Sequence, residues 1–215
     1  IKLMYQSIRD EQKMEELKQQ NMQVQMDYLK YQINPHFFMN TLNNIHALID
    51  IDTQWAKNAV IELSKMMRYV LYDSERETIS LTRDIQFLKN YIELMRIRYT
   101  DAVDIRIEHP STLPARITIP PLLLIVFVEN AFKHGVGANK ASFIHIRIDC
   151  NEDKVTAVIA NSRFKIAHPK HSDGIGLKNV RKRMELIYGP KNYELRIEET
   201  ADTYTVNLEI PTLHA

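Results

Sequence analysis

One histidine stands in an unusual run of amides and aromatic residues, Gln32-Ile-Asn-Pro-His-Phe-Phe-Met-Asn-Thr-Leu-Asn-Asn. Pro35 disfavours helix in the residue before it, so a helix is predicted from Pro35 to about Ile49. At about 100° per residue, His36 points away from the apolar face of that helix. An outward imidazole can accept a proton, a metal or a phosphoryl group, although a plain surface histidine is the alternative. A metal site is disfavoured because no strong ligand stands three or four residues on. The apolar face consists of Phe38, Leu42, Ile45 and Ile49.

Three polar residues share one face of a second helix, predicted over residues 121–134. Asn130, Lys133 and His134 stand at positions i, i+3 and i+4, which are neighbours on a helix surface. An Asn oxygen is a hard ligand suited to Mg²⁺, and a nearby Lys suits the phosphates that Mg²⁺ bridges. The alternative is a chance polar face on a helix that Gly135 ends.

Two glycines, Gly174 and Gly176, open a third helix that is predicted from Leu177 to Tyr188. Glycine lets a phosphate approach the backbone, and the N–H groups at a helix N-terminus bind anions. The basic residues that follow are typical of either a solvated face or a nucleic-acid patch. They are Lys178, Arg181, Lys182 and Arg183.

The elements before the first motif and around it are helical. Residues 1–30 contain no Pro or Gly and carry a seam at alternating three- and four-residue steps, which predicts a short coiled coil. The alternative is an amphipathic helix that packs on its own domain. Helices at 35–49 and 55–72 predict a hairpin, which would bury its apolar stripes best by pairing into a four-helix dimer. The seam consists of Met14, Leu17, Asn21, Val24, Tyr28 and Tyr31.

From residue 73 onward, the sequence predicts both helices and strands. After a polar connector at 73–80, another helix is predicted over about 82–99. Alternating apolar residues predict strands at 103–107, 143–148, 155–159 and 204–210. With the helices around Asn130 and after Gly176, this pattern predicts an α+β fold with helices on one face of a mixed sheet.

Composition excludes several classes of protein. Charged residues make up 26% of the 215 and the formal net charge is +1, so no bulk charge favours nucleic acid or a membrane surface. Cys150 is the single cysteine, which excludes internal disulfides and a cysteine-rich zinc site. No apolar run approaches the roughly 20 residues that cross a bilayer. Because the chain starts at Ile1 with helix under way, we expect a fragment of a longer protein.

Together and in this order, the motifs resemble the LytS-type family of sensor histidine kinases. That family carries a phosphoacceptor motif of the form Q-I-N-P-H-F-x-x-N-x-L-N, followed by a Bergerat-fold ATPase domain. Residues Gln32 to Asn43 match the motif, departing mainly at Phe38 and Met39, where Leu-Phe is commoner. The resemblance runs from about residue 30 onward. It implies an α+β fold in which an N-terminal helical dimerisation region precedes a Bergerat-type α/β sandwich that binds ATP. The segments are a coiled-coil helix at 1–30, a dimerisation and phosphotransfer hairpin at 31–75, and an ATP-binding domain at 76–215.

The resemblance also implies roles for single residues, with ATP and Mg²⁺ as cofactors. His36 would be the phosphoacceptor, and Asn130 the Mg²⁺ ligand. The residues expected to lie at the nucleotide are Lys133, His134, Gly174, Gly176, Leu177 and Lys178.

Two departures from the family bear on chemistry. Bergerat ATPases usually end one strand with an Asp that accepts the adenine amino group. Strand alternation puts Asn161 at that place and Arg163 where a glycine usually follows; an Asn oxygen can still accept a hydrogen bond. Hydrolytic relatives place a carboxylate four residues before the magnesium Asn, where this chain has Val126, so free ATP hydrolysis is disfavoured. Glu129 and Asn40 are the candidate partners that would orient His36.

The function expected from the resemblance is autophosphorylation on His36, followed by transfer to an aspartate of a response regulator. The expected assembly is a homodimer, the cytoplasmic portion of an inner-membrane protein whose sensor segment lies upstream. One alternative is a non-catalytic, nucleotide-binding signalling scaffold of the same fold. Another is a nucleic-acid-binding helical protein, which the net charge disfavours.

Overall fold

The computed structural model describes residues 35–99, 103–137, 140–164 and 175–214, together with Lys13. Apart from Lys13, the predicted coiled coil over residues 1–30 lies outside this described part, and so does Gly174. Within the described ranges, no helix is both long enough and apolar enough to cross a bilayer.

A helical hairpin comes first. Helix α1 (Pro35–Ile49) is joined by a short turn to helix α2 (Thr53–Arg68). Asp52 fixes the start of α2, because its carboxylate accepts a hydrogen bond from the Trp55 backbone N–H at 2.9 Å. The chain then continues as a π-helical turn, Tyr69–Asp73. The predicted boundary between residues 75 and 76 falls just after this turn, and the division into domains stays a prediction.

Helix α3 (Leu81–Arg96) packs against α2 and lies between the hairpin and the remaining elements. Before it lies strand β1 (Ile79–Ser80), which belongs to a small sheet of order β1-β3-β8 with β3 (Ile117–Ile119) and β8 (Leu213–His214). One hydrophobic core runs from the hairpin through α3 into the large sheet. The hairpin is therefore packed directly on the part that follows it.

The large sheet has five strands in the order β2-β4-β5-β7-β6. β2 and β4 are parallel, and the other neighbours are antiparallel. One face is buried and carries α4 (Ile125–Gly135), while the other is solvated and holds ion pairs such as Glu108 with Arg147. The α+β prediction, with N-terminal helices ahead of a mixed sheet, is confirmed. The strands are β2 (Val103–Glu108), β4 (Ser142–Cys150), β5 (Lys154–Ser162), β6 (Glu194–Glu199) and β7 (Thr203–Pro211). Helix α5 (Ile175–Tyr188) lies between β5 and β6 in the chain.

The hairpin buries only one side of each helix within a single chain. Ile45 is buried as predicted, but Leu42 and Ile49 are about half exposed, because the covered side of α1 is centred on Thr41, Ile45 and Leu48 beside them. On α2, Leu63 and Met66 are buried against the core, whereas Met67 is exposed. Six of the outward apolar residues fall on two stripes at helical spacing: Met39, Leu42 and Ile49 on α1, and Val60, Met67 and Leu71 along α2 and its π-helical turn. Ile51, Trp55, Ile61 and Tyr72 are exposed outside these stripes.

Candidate active site

Helix α4 presents the predicted magnesium ligand. The helix begins at Ile125 rather than at Pro121, because Leu122 has φ of 59°, in the left-handed region that a right-handed helix excludes. Asn130 and His134 are half-buried, and Lys133 is exposed. The spacing on one helix therefore holds these three residues near one face, with the long Lys133 side chain open to solvent.

The first turn of α5 lies against α4. A β-carbon built on Gly176 would stand 3.8 Å from Val126 Cγ1, an ordinary van der Waals contact, with no other described atom closer. Val126 precedes Asn130 by one helical turn, so the two share a face of α4. The start of the glycine-containing helix thus meets α4 one turn from the predicted magnesium ligand.

Glu129, next to Asn130 on α4, is a half-buried residue. It lies near Tyr91 of α3, whose ring is 5.7 Å from the Phe132 ring, centroid to centroid. Burial raises the pKa of Glu129 to about 7 from its ordinary value of 4.5. A carboxyl group with a pKa near neutrality can exchange a proton under physiological conditions, as a general base must.

The first turn of α1 reaches the same place. The Phe37 ring lies 5.0 Å from the Tyr91 ring, centroid to centroid, and 5.5 Å from the Phe38 ring. His36 directly precedes Phe37 and belongs to α1; its side chain lies outside the part of the chain that the structure describes. The backbone that carries His36 is therefore anchored beside Tyr91, the same ring that Glu129 approaches.

Asn161 ends β5 on the buried face of the sheet, as the strand alternation predicted. Its side chain is 3% exposed, and its amide nitrogen donates to the Ser162 carbonyl at 2.8 Å. Gly135 at the end of α4 passes so close that a β-carbon there would stand 2.6 Å from Asn161 Cβ, so only glycine fits. Arg163 turns away and pairs with Glu199 at 2.9 Å.

The basic residues of α5 do not form one face. Lys178, Arg181 and Lys182 are exposed, whereas Arg183 is 3% exposed and donates to the Pro121 carbonyl at 2.7 Å. The interpretation of all four as a solvated or nucleic-acid-binding patch is therefore wrong for Arg183. Leu177, at the start of the helix, is half-buried.

The described donors suit a magnesium nucleotide. Asn130 offers an oxygen to a hard cation, Lys133 offers a positive charge to phosphate, and Gly176 leaves the start of α5 open for close approach. Among the described residues, no cluster of His, Cys, Asp and Glu could by itself hold a metal ion.

Comparison with known proteins agrees with this geometry. The family model described as histidine kinase matches residues 24–103. The sensor protein LytS of Streptococcus mutans is 31% identical over 197 residues, which cover 85% of this chain and 33% of that protein. LytS of Staphylococcus haemolyticus is 29% identical over 197 residues, 86% of this chain and 33% of that protein. Over most of its length, the chain is therefore similar to the LytS-type sensor histidine kinases. It spans about a third of the length of these curated relatives.

Among solved structures, the chain is similar to the histidine kinase domain of the blue-light activated histidine kinase EL346 of Erythrobacter litoralis. The TM-score is 0.48 at 14% identity, over 89% of this chain and 95% of that chain.

The sequence reasoning missed three buried polar residues: Tyr69, Asp84 and Arg183. Asp84 could have been found, because it stands one turn before Leu88 and next to Ile85, two residues of the apolar face of α3. An acidic residue at such a position predicts a buried, partnered carboxylate. No comparable sequence signal marks Tyr69 or Arg183.

The free energy of unfolding is expected to fall by about 1 kcal/mol between pH 6 and pH 7.5 because of Glu129 alone. With a raised pKa, the folded state keeps a proton that the unfolded state has already released, so stability is lost as pH rises toward about 7. The Glu129→Gln variant should lack this loss. The measurement is chemical denaturation of both proteins across the pH range, and the difference between them removes contributions from other groups.

Glu93→Gln is the matched control, since Glu93 is an exposed glutamate on α3. It should keep the slope of the wild type. A Glu129→Gln variant whose stability follows the wild-type pH dependence would show that Glu129 ionises as an exposed carboxylate does.

Proposed function

We propose that the chain is the transmitter part of a two-component sensor histidine kinase. It binds ATP with Mg²⁺, becomes phosphorylated on His36, and passes the phosphoryl group to an aspartate of a response regulator. The observation that carries the proposal is the contact of Phe37 with Tyr91 beside Glu129. Tyr91 in turn contacts Phe132 of α4, so the first turn of α1 is connected through α3 to the helix that carries Asn130.

Each residue has a role in the proposed transfer. ATP bound with Mg²⁺ would supply the γ-phosphoryl group, and ADP would leave as the bond between the γ-phosphorus and the bridging oxygen breaks. A ring nitrogen of His36 serves as the nucleophile, and neutral imidazole is available near its ordinary pKa of about 6.5. Glu129 accepts the imidazole proton, which its pKa of about 7 permits. Asn130 holds the metal, while Lys133 and the start of α5 neutralise the phosphates, so most of the catalysis is positioning and charge neutralisation.

Most of the remaining nucleotide contacts are proposed because these residues are close in sequence to the residues already named. His134 follows Lys133 on α4, and Gly174, Leu177 and Lys178 flank Gly176 at the start of α5. Asn161 is proposed to mark the adenine end, because β5 ends there against the last residue of α4.

The proposed assembly is a homodimer that pairs through the hairpin. The outward stripes of α1 and α2 are unpartnered within one chain, and pairing them in a four-helix bundle would remove their apolar surface from water. In the full-length protein, we place this part on the cytoplasmic side of an inner membrane, downstream of a membrane sensor segment.

Replacing Val60 with glutamate is expected to convert the dimer into a monomer. Val60 is about half exposed in a single chain and would become buried at the interface, where an unpaired carboxylate is costly. Sedimentation velocity at micromolar concentration measures the change. Gln54→Glu adds the same charge to an exposed position of α2 well off the stripe, and it should stay dimeric. A wild type that is already a folded monomer at this concentration would overturn the dimer.

The proposal is tested by incubating the protein with γ-labelled ATP and Mg²⁺. Label should enter the protein as an acid-labile, base-stable phosphate, the behaviour of a phosphohistidine. A control with α-labelled ATP should leave the protein unlabelled, because only the terminal phosphoryl group is transferred.

One observation favours the alternative of a nucleotide-binding scaffold without catalysis. Asn161 is 3% exposed, which leaves little of its side chain accessible to adenine. A protein that calorimetry shows to be saturated with ATP, yet that gains no label, would favour the scaffold over the kinase.

A further inference from the structure

Three buried polar side chains meet where the hairpin, α3 and α5 come together. The Tyr69 hydroxyl donates a hydrogen bond of 2.6 Å to Asp84 Oδ1, and the Tyr69 ring stacks on Phe87 at 4.3 Å between centroids. Arg183 of α5 lies close enough for its charge to act on Asp84. Asp84 is 1% exposed and Arg183 is 3% exposed. The cluster therefore joins three separate elements through groups that water does not reach.

The same cluster holds the turn from which α4 starts. Arg183 donates from Nη2 to the Pro121 carbonyl at 2.7 Å, and both Asp84 and Tyr69 face the backbone of Leu122. Leu122 has φ of 59°, a conformation that costs free energy for a residue with a side chain. Such a conformation persists only where the surroundings enforce it. The cluster is the polar part of those surroundings.

The cluster is not an efficient way to increase the free energy of unfolding. Burial raises the pKa of Asp84 to about 6, although the Tyr69 hydroxyl and Arg183 act to lower it. Among the described residues, Asp84 Oδ2, Arg183 Nε and Tyr188 Oη are buried without a hydrogen-bond partner. Buried charges that are only partly paired cost free energy relative to apolar groups of the same shape. Their arrangement is better explained by the position that they impose on the backbone.

Two contacts then fix α4 against α5. Arg183 follows Gly176 by seven residues, so both lie on the same face of α5, about 10 Å apart along its axis. Gly176 meets Val126 on α4, and Arg183 meets Pro121 just before α4. Two contacts at that separation define the angle between two helices, whereas one contact would leave it free. Asn130 and Glu129 lie on one of these helices, and the glycine-containing turn lies on the other.

We infer that Asp84 and Arg183 are positioning residues for the nucleotide site, with Tyr69 as the point at which the hairpin contacts them. The inference rests on the proposed function, because it assigns these residues to a site for ATP and Mg²⁺. They touch neither substrate nor metal. They act by holding the backbone of residues 121–122, and hence the placement of α4 relative to α5.

The decisive experiment compares Arg183→Met with the double variant Asp84→Asn/Arg183→Met. The single change removes the donor to Pro121 and leaves the Asp84 charge buried with less compensation, so both stability and ATP affinity should fall. The double change also removes the buried charge, so the thermal midpoint should recover. The double change does not restore the hydrogen bond to Pro121. ATP affinity should therefore stay roughly tenfold or more below the wild type, which is the usual loss when a residue that orients a binding group without touching the ligand is replaced.

Two single variants serve as controls. Arg181→Met makes the same side-chain change at an exposed position of α5. Tyr188→Phe removes a buried hydroxyl of the same helix that has no hydrogen-bond partner among the described residues. Both should bind ATP with Mg²⁺ as the wild type does.

The readouts are the thermal midpoint, the ATP–Mg²⁺ dissociation constant by calorimetry well below that midpoint, and amide hydrogen exchange of residues 125–135 and 175–188. The expected result is weakened ATP binding and faster exchange in these helices in both Arg183 variants, with stability recovered only in the double. Affinity that recovers together with stability would overturn the inference, as would wild-type affinity in either variant. If the single variant does not fold, the ATP affinity and exchange rates of the double variant alone test the inference. A wild type that binds no ATP would refute the proposed function, and the exchange rates would then decide the inference: unchanged exchange would overturn it.

Discussion

Replacing Asn130 with alanine is expected to reduce phosphorylation by ATP and Mg²⁺ by roughly a hundredfold or more, since a metal that neutralises phosphate is worth several kcal/mol. Asn130 is half-buried on α4, one turn beyond the residue that Gly176 approaches, and it offers an oxygen that a hard cation prefers. Alanine removes that oxygen while keeping helix propensity. The measurement is the initial rate of label incorporation with Mg²⁺ as the only divalent metal.

The fold should be unaffected, because a half-buried Asn in a helix contributes little to stability when it is replaced by alanine. Asn58→Ala is the matched control: the same change at an exposed position of α2, which should keep full activity. Asn130→Asp tests geometry as well as chemistry, since it keeps an oxygen but adds a charge beside Glu129 and the phosphates. We expect it to be inactive too. Wild-type rates in either Asn130 variant would refute the assignment of the metal ligand.

Helix boundaries followed from sequence wherever a local signal set them. The predicted end of α1 at about Ile49 is confirmed, and the chain is helical at Pro35, the first residue that the structure describes in this region. The start of α4 was predicted four residues too early, because nothing local reveals that Leu122 adopts a left-handed conformation. The residues that lie against this turn, Asp84 and Arg183 among them, are distant from it in sequence. A window of neighbouring residues cannot contain such a constraint.

The short strands were not predicted from the sequence, for a related reason. β1, β3 and β8 have two or three residues each, which is too few to show alternation, and they exist because they pair with one another across the chain. β6 carries only Leu195 and Ile197 among charged residues, and its place is set by pairing with β7. By contrast, β5 alternates over nine residues, and its alternation placed Asn161 on the buried face as predicted.

The candidate site likewise contains some features that local sequence predicts and others that depend on residues distant in the chain. The residue types and spacing on α4 are local, so Asn130, Lys133 and His134 could be named from the sequence. The burial of Glu129 beside Tyr91 depends on two separate helices, and so does the resulting rise of its pKa to about 7. Arg183 was grouped with its exposed neighbours because residue types show which side chains are charged but not which way each side chain points. Its burial depends on a carbonyl 62 residues earlier in the chain.

Replacing His36 with glutamine is expected to abolish phosphorylation and to leave nucleotide binding unchanged. Glutamine keeps size and polarity but offers no nitrogen that can carry a phosphoryl group under these conditions. His36 lies in the first turn of α1, where the helix is held by Phe37 on Tyr91 and by the buried Ile45. The substitution leaves those contacts in place, so the thermal midpoint and the ATP dissociation constant should match the wild type.

The matched control is His46→Gln, the same change at an exposed position of the same helix. It should retain the acid-labile, base-stable label of the wild type, whereas His36→Gln should show none. Label that persists in His36→Gln would move the acceptor to another residue. Loss of label in His46→Gln as well would mean that the change acts through the helix rather than through the acceptor nitrogen. The pair thus separates the chemistry of one imidazole from the integrity of α1, because the two positions share a helix and only His36 directly precedes the ring that contacts Tyr91 beside Glu129.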